Sequence, residues 1–298
     1  MNDLFAAYKP LFDITLLSCG LAFSQYVVLR AGVESFATAA FAAIGAYFAA
    51  ILVTKWGAAA PVAVLAACAL GAVAGGLLSI PLARLRSVFQ AIATIAFVQI
   101  VVSLILYAEP VTGGALGING IPQLVGTLGL LLYLAIVVAL MTVINRSGIG
   151  RAFDALRQDE TVAVALGISV IKYHALAFIL SGAIAGAGGG MLALNTFSIH
   201  AEQFGFPLLV AALAAVVLGG RTSVLGPIVG AALLAILPEI ARPLAEQRLL
   251  VYGLILIVII IYLPRGIVDT LAARWIAWRA VRQTPSVVLG SADDQPVH

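Results

Sequence analysis

A chain with only three lysines, Lys9, Lys55 and Lys172, offers little to phosphate chemistry, and it contains no G-x-x-x-x-G-K-[ST] loop that could cradle ATP. His174, His200 and His298 are scattered, with no H-E-x-x-H pair and no cysteine at ligand spacing, so no metal is assigned. Cys19 and Cys68 both lie in apolar runs and read as packed thiols. The stretch VTGGALGINGIP carries Thr112, Gly113, Gly114, Gly117, Gly120 and Pro122. It lacks the lysine and the polar helix start of a phosphate loop, and reads as a turn-rich loop. An enzyme needs a nucleophile, base or metal cluster, and the spacing supplies none.

The polar residues that remain are set among apolar ones. Asn145 to His174, NRSGIGRAFDALRQDETVAVALGISVIKYH, is a hydrophilic island holding Arg146, Arg151, Asp154, Arg157, Asp159, Glu160 and Lys172. Asp159 can N-cap a short helix, Glu160 favours its positive end, and Gly167 suits the left-handed residue that ends it. That is about two turns, roughly 11 Å, too short to hold itself together without a surface to lie on. Elsewhere Gln99, Ser103 and Tyr107 share one helical face by their spacing of four, and Gln90 with Thr94 forms a second pair at another angle. These pairs read either as interhelical hydrogen bonding or as lining of a solute route. Arg30 and Glu34, also four apart, read as a turn at the membrane surface or as a paired charge near such a route, with Ser35 and Thr38 beside them.

The elements that position these groups follow from composition. The chain is 63% hydrophobic and 10% charged, outside the range of soluble domains. It reads as one all-α membrane domain, residues 1–282, with a polar, disordered tail over 283–298 and the island segment at 146–172. The spans expected are Leu11 to Leu29, Ser35 to Val53, Pro61 to Leu82, Val88 to Tyr107, Gly126 to Ile144, Tyr173 to Leu194, Pro207 to Leu218, Val224 to Leu237 and Leu249 to Leu263, in a bundle of about 8–10 crossings. Nothing at the N-terminus reads as a removable signal. Gly182, Gly186 and Gly190 recur every four residues, as do Gly71 and Gly75, and strip helix faces for close packing.

Basic residues then set orientation. Arg84 and Arg86, the island, Arg221, and Arg265, Arg274, Arg279 and Arg282 fall on the cytoplasmic side, which puts the C-terminus there. Loops 108–125 and 195–206 contain no lysine or arginine and fall outside. Nine simple crossings leave the N-terminus outside and Lys55 beside an external turn, unless a discontinuous segment near Arg30 to Tyr47 changes the count. The net charge of +3 reflects this topology and does not point to nucleic acid.

Four blocks together resemble the M-type permease subunits of branched-chain amino acid ABC importers. GRAFDALRQDETVAVALGISVIKYHALAFILSGAIAGAGGG resembles the family's coupling segment and following helix. LARLRSVFQAIATIAFVQI followed by VTGGALGINGIP is similar to its L-R-x-x-Y-x-A-I-x-T-L-x-F stretch and external T-G-G-x-x-G-x-x-G-I-P loop. VLGGRTSVLGPIVGAALLAILPEI, with Gly219, Gly220, Gly226, Pro227 and Gly230, resembles its V-L-G-G-x-x-S-x-x-G-P-x-x-G-A block, and YLPRG its terminal L-P-R-G. The resemblance implies a multi-pass protein of the bacterial inner membrane, paired with a second, paralogous permease subunit. It further implies two cytoplasmic ATPase subunits and an external substrate-binding protein, with no cofactor in this chain and ATP used by the partners. Arg151 to Gly167 would then carry coupling to the ATPase.

The first two spans depart from that pattern. QYVVLRAGVESFATAAFAAIGAY keeps Gly32, Ser35, Phe41, Ile44, Gly45, Ala46 and Tyr47, while Leu29, Arg30, Ala37 and Thr38 replace a glycine, a tyrosine, a glycine and a histidine. Thr222 also stands where a glycine is usual. The cargo the resemblance implies is branched-chain amino acids or related small amino acids or amides, and if that region lines the route it differs from leucine, isoleucine or valine. The alternative is a stand-alone secondary transporter or channel, which would need ionisable residues in several spans, and only Arg30 and Glu34 come close.

Overall fold

The computed structural model describes residues 2–83, 85, 87–240, 253, 266–271 and 275. Its helices are α1 (Asn2–Arg30), α2 (Thr38–Trp56), α3 (Ala60–Leu82), α4 (Ser87–Tyr107), the one-turn α5 (Glu109–Thr112), α6 (Thr127–Arg146), α7 (Gly148–Gln158), α8 (Glu160–Ala165), α9 (Val170–Asn195), α10 (Phe206–Gly219) and α11 (Leu225–Ile240). Among the described residues, seven helical segments are long and apolar enough to cross a membrane, and Leu225–Leu237 is a shorter apolar one. Eight of the expected apolar runs are therefore helices. The ninth, Leu249 to Leu263, lies outside the described residues except for Gly253, as do the tail over 283–298 and Arg84, Arg86, Arg265, Arg274, Arg279 and Arg282.

The bundle is built around α9, against which α1, α2 and α3 all pack. Its glycines set the spacing. A Cβ on Gly71 would run into the Gly182 carbonyl, one on Gly186 into that of Ala67, one on Gly75 into that of Phe178, and one on Gly189 into that of Ala42. Backbone therefore meets backbone on two sides of α9, the approach that small residues every fourth position permit in a medium where lipid tails are as apolar as leucine. Gly190 meets side chains, with Ala67 Cβ 3.1 Å from its ideal Cβ. The same device joins α10 to α11, where Gly219 faces the Gly226 carbonyl and Gly230 that of Ala215. At 16 residues α11 measures about 24 Å, short of a roughly 30 Å hydrocarbon layer, whereas α10 continues the turn before it into a 19-residue segment, Ala201–Gly219.

Between α1 and α2 the helix breaks. Gly32, at φ 82°, ends α1 with the Val33 N–H on the Val28 carbonyl at 3.0 Å and the Gly32 N–H on that of Leu29 at 3.3 Å. The chain then runs extended, burying Ala31, Val33, Ser35 and Ala37 while Gly32 and Glu34 are exposed. α2 starts at Thr38, beside Ser24 of α1 and so about 9 Å deeper than Arg30. The connection over 31–37 thus dips into the bundle and α2 begins three residues later than expected, but α1 and α2 are each unbroken candidate spans and the count at Arg30 to Tyr47 stays at two.

Two ends of the bundle differ in character. One, the island face, gathers Arg30, Arg146, α7, α8, Lys172 and Arg221; the other, the loop face, carries the connections after α2, α4 and α9. On the loop face, β1 (Ile118–Asn119) pairs antiparallel with β2 (Ser198–Ile199). Gly113, Gly114, Gly117 and Gly120 all have positive φ there, as a turn-rich loop requires. Pro122 is exposed, while Thr112 is buried with its hydroxyl donating to the Ile105 carbonyl at 2.6 Å. Tyr8, Trp56 and Tyr107, 55%, 77% and 87% exposed, mark this end of α1, α2 and α4 as an aromatic belt would.

Candidate functional site

The island is two helices. Ser147 N-caps α7, its Oγ accepting from the Ile149 N–H at 3.2 Å, and α7 buries Ala152, Phe153 and Leu156 on the bundle. Sequence reading assigned only the later helix, although Ser147 before the Ile149, Ala152, Phe153, Leu156 stripe carried the signal for this one. Asp159 closes α7 and opens α8. Its Oδ1 accepts from the Thr161 N–H at 2.7 Å and the Val162 N–H at 3.2 Å. Those donors, Val162 first, hold its carboxyl below the usual carboxylate range. Gly167 at φ 81° ends α8, with the Ile168 N–H on the Ala163 carbonyl at 3.0 Å and the Gly167 N–H on that of Val164 at 2.9 Å. α8 buries Ala163 and leaves Val162 and Val164 exposed at 55% and 56%, with its C-cap Leu166 at 72%; Arg151 and Glu160 are exposed as well.

One ion pair fastens this unit to the bundle. Arg30 Nη2 donates to Asp154 Oδ2 at 2.9 Å and Nε to Oδ1 at 3.2 Å, while Nη1 donates to the Tyr26 hydroxyl at 3.0 Å. Arg157 Nη2 stands 4.0 Å from Asp154 Oδ1. The Tyr26 hydroxyl also accepts from Asn145 Nδ2 at 3.4 Å and donates to the Thr222 carbonyl at 3.3 Å. Asp269 in turn accepts from the Thr222 and Ser223 N–H groups at 3.0 and 3.1 Å, which fixes the turn between α10 and α11. Gly32 touches the Arg157 backbone, where a Cβ would come within 3.1 Å of its Cα. His174 of α9 interacts with the Ala31 backbone. Arg30 is therefore bound to the island, and α7 rests on the break that starts α2. Tyr26, one turn before Arg30, is the hub that sequence reading passed over; the i, i+4 spacing was its only trace.

Deeper in the bundle lies a closed polar cluster. Thr38 Oγ1 donates to Gln25 Oε1 at 2.9 Å, Gln25 Nε2 to the Ser35 carbonyl at 2.6 Å, and Ser24 Oγ stands 2.8 Å from Ser181 Oγ. The Phe36 N–H donates to Thr94 Oγ1 at 3.0 Å, and Gln90 Nε2 donates to the Leu82 carbonyl at 3.2 Å. All of these side chains are buried. The cluster pairs the backbone that the break would otherwise leave unsatisfied in an apolar interior.

Gln99 and Ser103 are placed differently, exposed on the outward face of α4 with Tyr107. The outward faces of α3 (Val62, Leu65, Val73, Leu77, Ile80) and α6 (Leu128, Leu132, Ile136, Leu140, Val143) are wholly apolar. Gln99 sits about 12 Å along the helix from Tyr107, at hydrocarbon depth. Among the described residues no group of three or more His, Cys, Asp or Glu is arranged to hold a metal.

A bundle of apolar helices long enough to cross a membrane, with a helical island clamped to one end and polar groups sealed within, fits a solute permease. Residues 11–263 match the family model described as branched-chain amino acid transport system / permease component, and the chain belongs to that family. It is similar to the high-affinity branched-chain amino acid transport system permease protein LivM of Escherichia coli, 34% identical over 76% of this chain and 61% of that protein. The LivM of Salmonella typhimurium is 33% identical over the same shares, and the LivH permease protein of Escherichia coli is 30% identical over 43% of this chain and 42% of its own. The chain thus spans about three-fifths of the length of the LivM relatives it matches. No solved structure matches it.

Proposed function

We propose that this chain is the transmembrane permease subunit of an ATP-binding-cassette importer in a bacterial inner membrane, for branched-chain amino acids or related small amino acids or amides. Two separate ATPase subunits, a second permease subunit and an external binding protein complete the machine. The island face is cytoplasmic and the loop face external, so the C-terminus is cytoplasmic and α1 begins outside. The chain itself transports and does not hydrolyse ATP.

The observation that carries this reading is the island. Val162 and Val164 stand exposed on a six-residue helix and Leu166 at its C-cap, with Ala163 buried beneath and Asp159 and Gly167 closing its ends. Three exposed apolar side chains on one short element, with Arg151, Glu160 and Lys172 also exposed on the island, suit a protein partner. Movement of that partner would reach α2 through α7, the Arg30–Asp154 pair and the break, as well as α9 through Tyr173, whose ring meets Phe153 edge-on at 6.3 Å. The outward Gln99 and Ser103 support the second permease subunit: hydrogen-bonding groups at hydrocarbon depth call for a protein or aqueous neighbour.

The test is a reconstituted complex bearing Leu166→Glu, with uptake and substrate-stimulated ATPase activity measured at matched expression. Insertion should survive while the ATPase pair no longer copurifies and uptake falls at least about tenfold, the equivalent of 1.4 kcal/mol. Wild-type assembly and transport by this variant would refute island docking, and uptake by the chain alone would make it a stand-alone transporter.

A further inference from the structure

At the loop face the start of α1 meets the segments before α6 and after α9. They enclose a cavity of about 510 Å³ whose polar lining includes Lys9, Asp13, Gln123 and Asn195, beside Ile14 and Phe197. Its size falls in the range of small-molecule sites, about 300–1,000 Å³. Asp13 is 6% exposed, and its Oδ1 has no hydrogen-bond partner. The Thr127 hydroxyl, next to the lining residue Gly126, is buried and equally unpartnered. A buried carboxylate oxygen calls for a donor, and none among the described residues supplies one. Lys9 stands one turn away on the same side of α1, yet neither it nor Asp13 forms an ion pair among the described residues. Asn195 Nδ2 donates to the Val125 carbonyl at 3.0 Å and holds the two loop segments together as a fixed wall.

We infer that this cavity is an external binding site for an amino acid zwitterion. Asp13 accepts from the α-ammonium, Lys9 meets the α-carboxylate, Gln123 complements the polar end, and Ile14 with Phe197 covers an aliphatic side chain. Opposite charges one turn apart on a single helix, about 5–6 Å between Cβ atoms, offer each charged end of such a ligand a partner of its own. A simple cation would have no use for Lys9, and a simple anion none for Asp13. The inference rests on the proposed permease function for the substrate class and for the loop face being external.

The experiment uses the full chain with its partner subunits in nanodiscs, without the binding protein, and measures equilibrium binding of leucine, leucinamide and 4-methylpentanoate. Leucinamide lacks the carboxylate and 4-methylpentanoate the ammonium. Wild type should bind leucine at least about tenfold more tightly than either. Asp13→Asn should weaken leucine and leucinamide by about tenfold and leave 4-methylpentanoate unchanged; Lys9→Gln should weaken leucine and 4-methylpentanoate and leave leucinamide unchanged. Lys9 is exposed, so its variant keeps the test open if Asp13→Asn fails to fold. Leucine binding that survives both substitutions would overturn the site. So would import of leucine by the complex with no binding to wild-type permease, a result that leaves the permease function standing. Weakened docking of the binding protein with leucine binding intact would also overturn it, assigning Asp13 to a protein contact. Cavity binding without ATP-driven import would uphold the site and count against the permease reading.

Discussion

Arg30 keeps a guanidinium in a nearly dry place because Asp154 takes two of its N–H groups and Tyr26 a third; its side chain is 9% exposed. Removing Asp154 leaves that charge with one neutral partner. We expect Asp154→Ala to destabilise the purified protein by about 1–3 kcal/mol, toward the lower end because Asp154 is itself 38% exposed. Arg30→Met together with Asp154→Leu should recover at least half of the loss, since both charges then leave together. Denaturant titration of the two singles and the double measures the coupling, and strict additivity would mean that the pair contributes nothing. Asp159 supplies a pH dependence. Its carboxyl is held low by the Val162 and Thr161 N–H groups, so its contribution is fully present above the ordinary carboxylate value of about 4 and is lost as pH falls through the lowered one. Hydrogen-exchange protection of the Thr161 and Val162 amides should therefore hold at neutral pH and decline in acid, whereas Asp159→Asn should cap the helix without that decline. The Asp159 cap was legible from residue type and position alone. The Arg30 partner was not, because it lies more than a hundred residues away and only packing brings the two together.

Among the elements, close backbone approach makes the most definite demands. Gly71→Val would drive a side chain into the Gly182 carbonyl on α9 and separate the central helices, whereas Gly76→Ala meets only Ile179 side-chain carbons at 3.4 Å. The first should cost about 3 kcal/mol or more or prevent assembly, and the second should stay within about 0.5 kcal/mol. Thermal unfolding of both variants in the same detergent decides it, and equal behaviour would remove the packing role from Gly71. Gly167→Val acts by another route, since nothing lies within 4 Å of its Cβ and only φ 81° opposes the side chain. We expect it to strain the end of α8 by about 1 kcal/mol or more and to uncouple ATPase activity from uptake while insertion survives. The spans were legible because hydrocarbon imposes long apolar runs, and eight of them stand close to where the sequence put them. α7 was not assigned, because a charged amphipathic helix between spans reads as loop by composition. The break at 31–37 was only located, since hydrophobicity cannot tell a buried extended segment from a buried helix.

For the molecule as a whole, the arrangement of its two ends makes sidedness testable. Arg30, at the last residue of α1, touches Asp154 of the island, while Asp13 near its start lines a cavity with residues 123–126 and 195–197 of the loop face. α1 therefore runs the full height of the bundle, with its beginning on the side of the lysine- and arginine-free loops. Lys55 belongs to that side too, with Lys9, and its Nζ donates to the Val111 carbonyl at 3.4 Å, so it is held by the loop it meets. Positive charge concentrates on the island face, which the proposed orientation puts in the cytoplasm. In a background with Cys19→Ala and Cys68→Ala, a cysteine replacing Lys9 or Glu202 should react with an impermeant maleimide in intact cells. One replacing Gln158 should react only after the membrane is opened, since all three positions are exposed and differ in side alone. Labelling at Gln158 but not at Glu202 in intact cells would invert the molecule, moving the island outside, removing its access to any cytoplasmic ATPase and turning the Asp13 cavity inward. Labelling at Glu202 but not at Lys9 would leave the island in place and instead separate the start of α1 from the loop face, against the cavity that joins them.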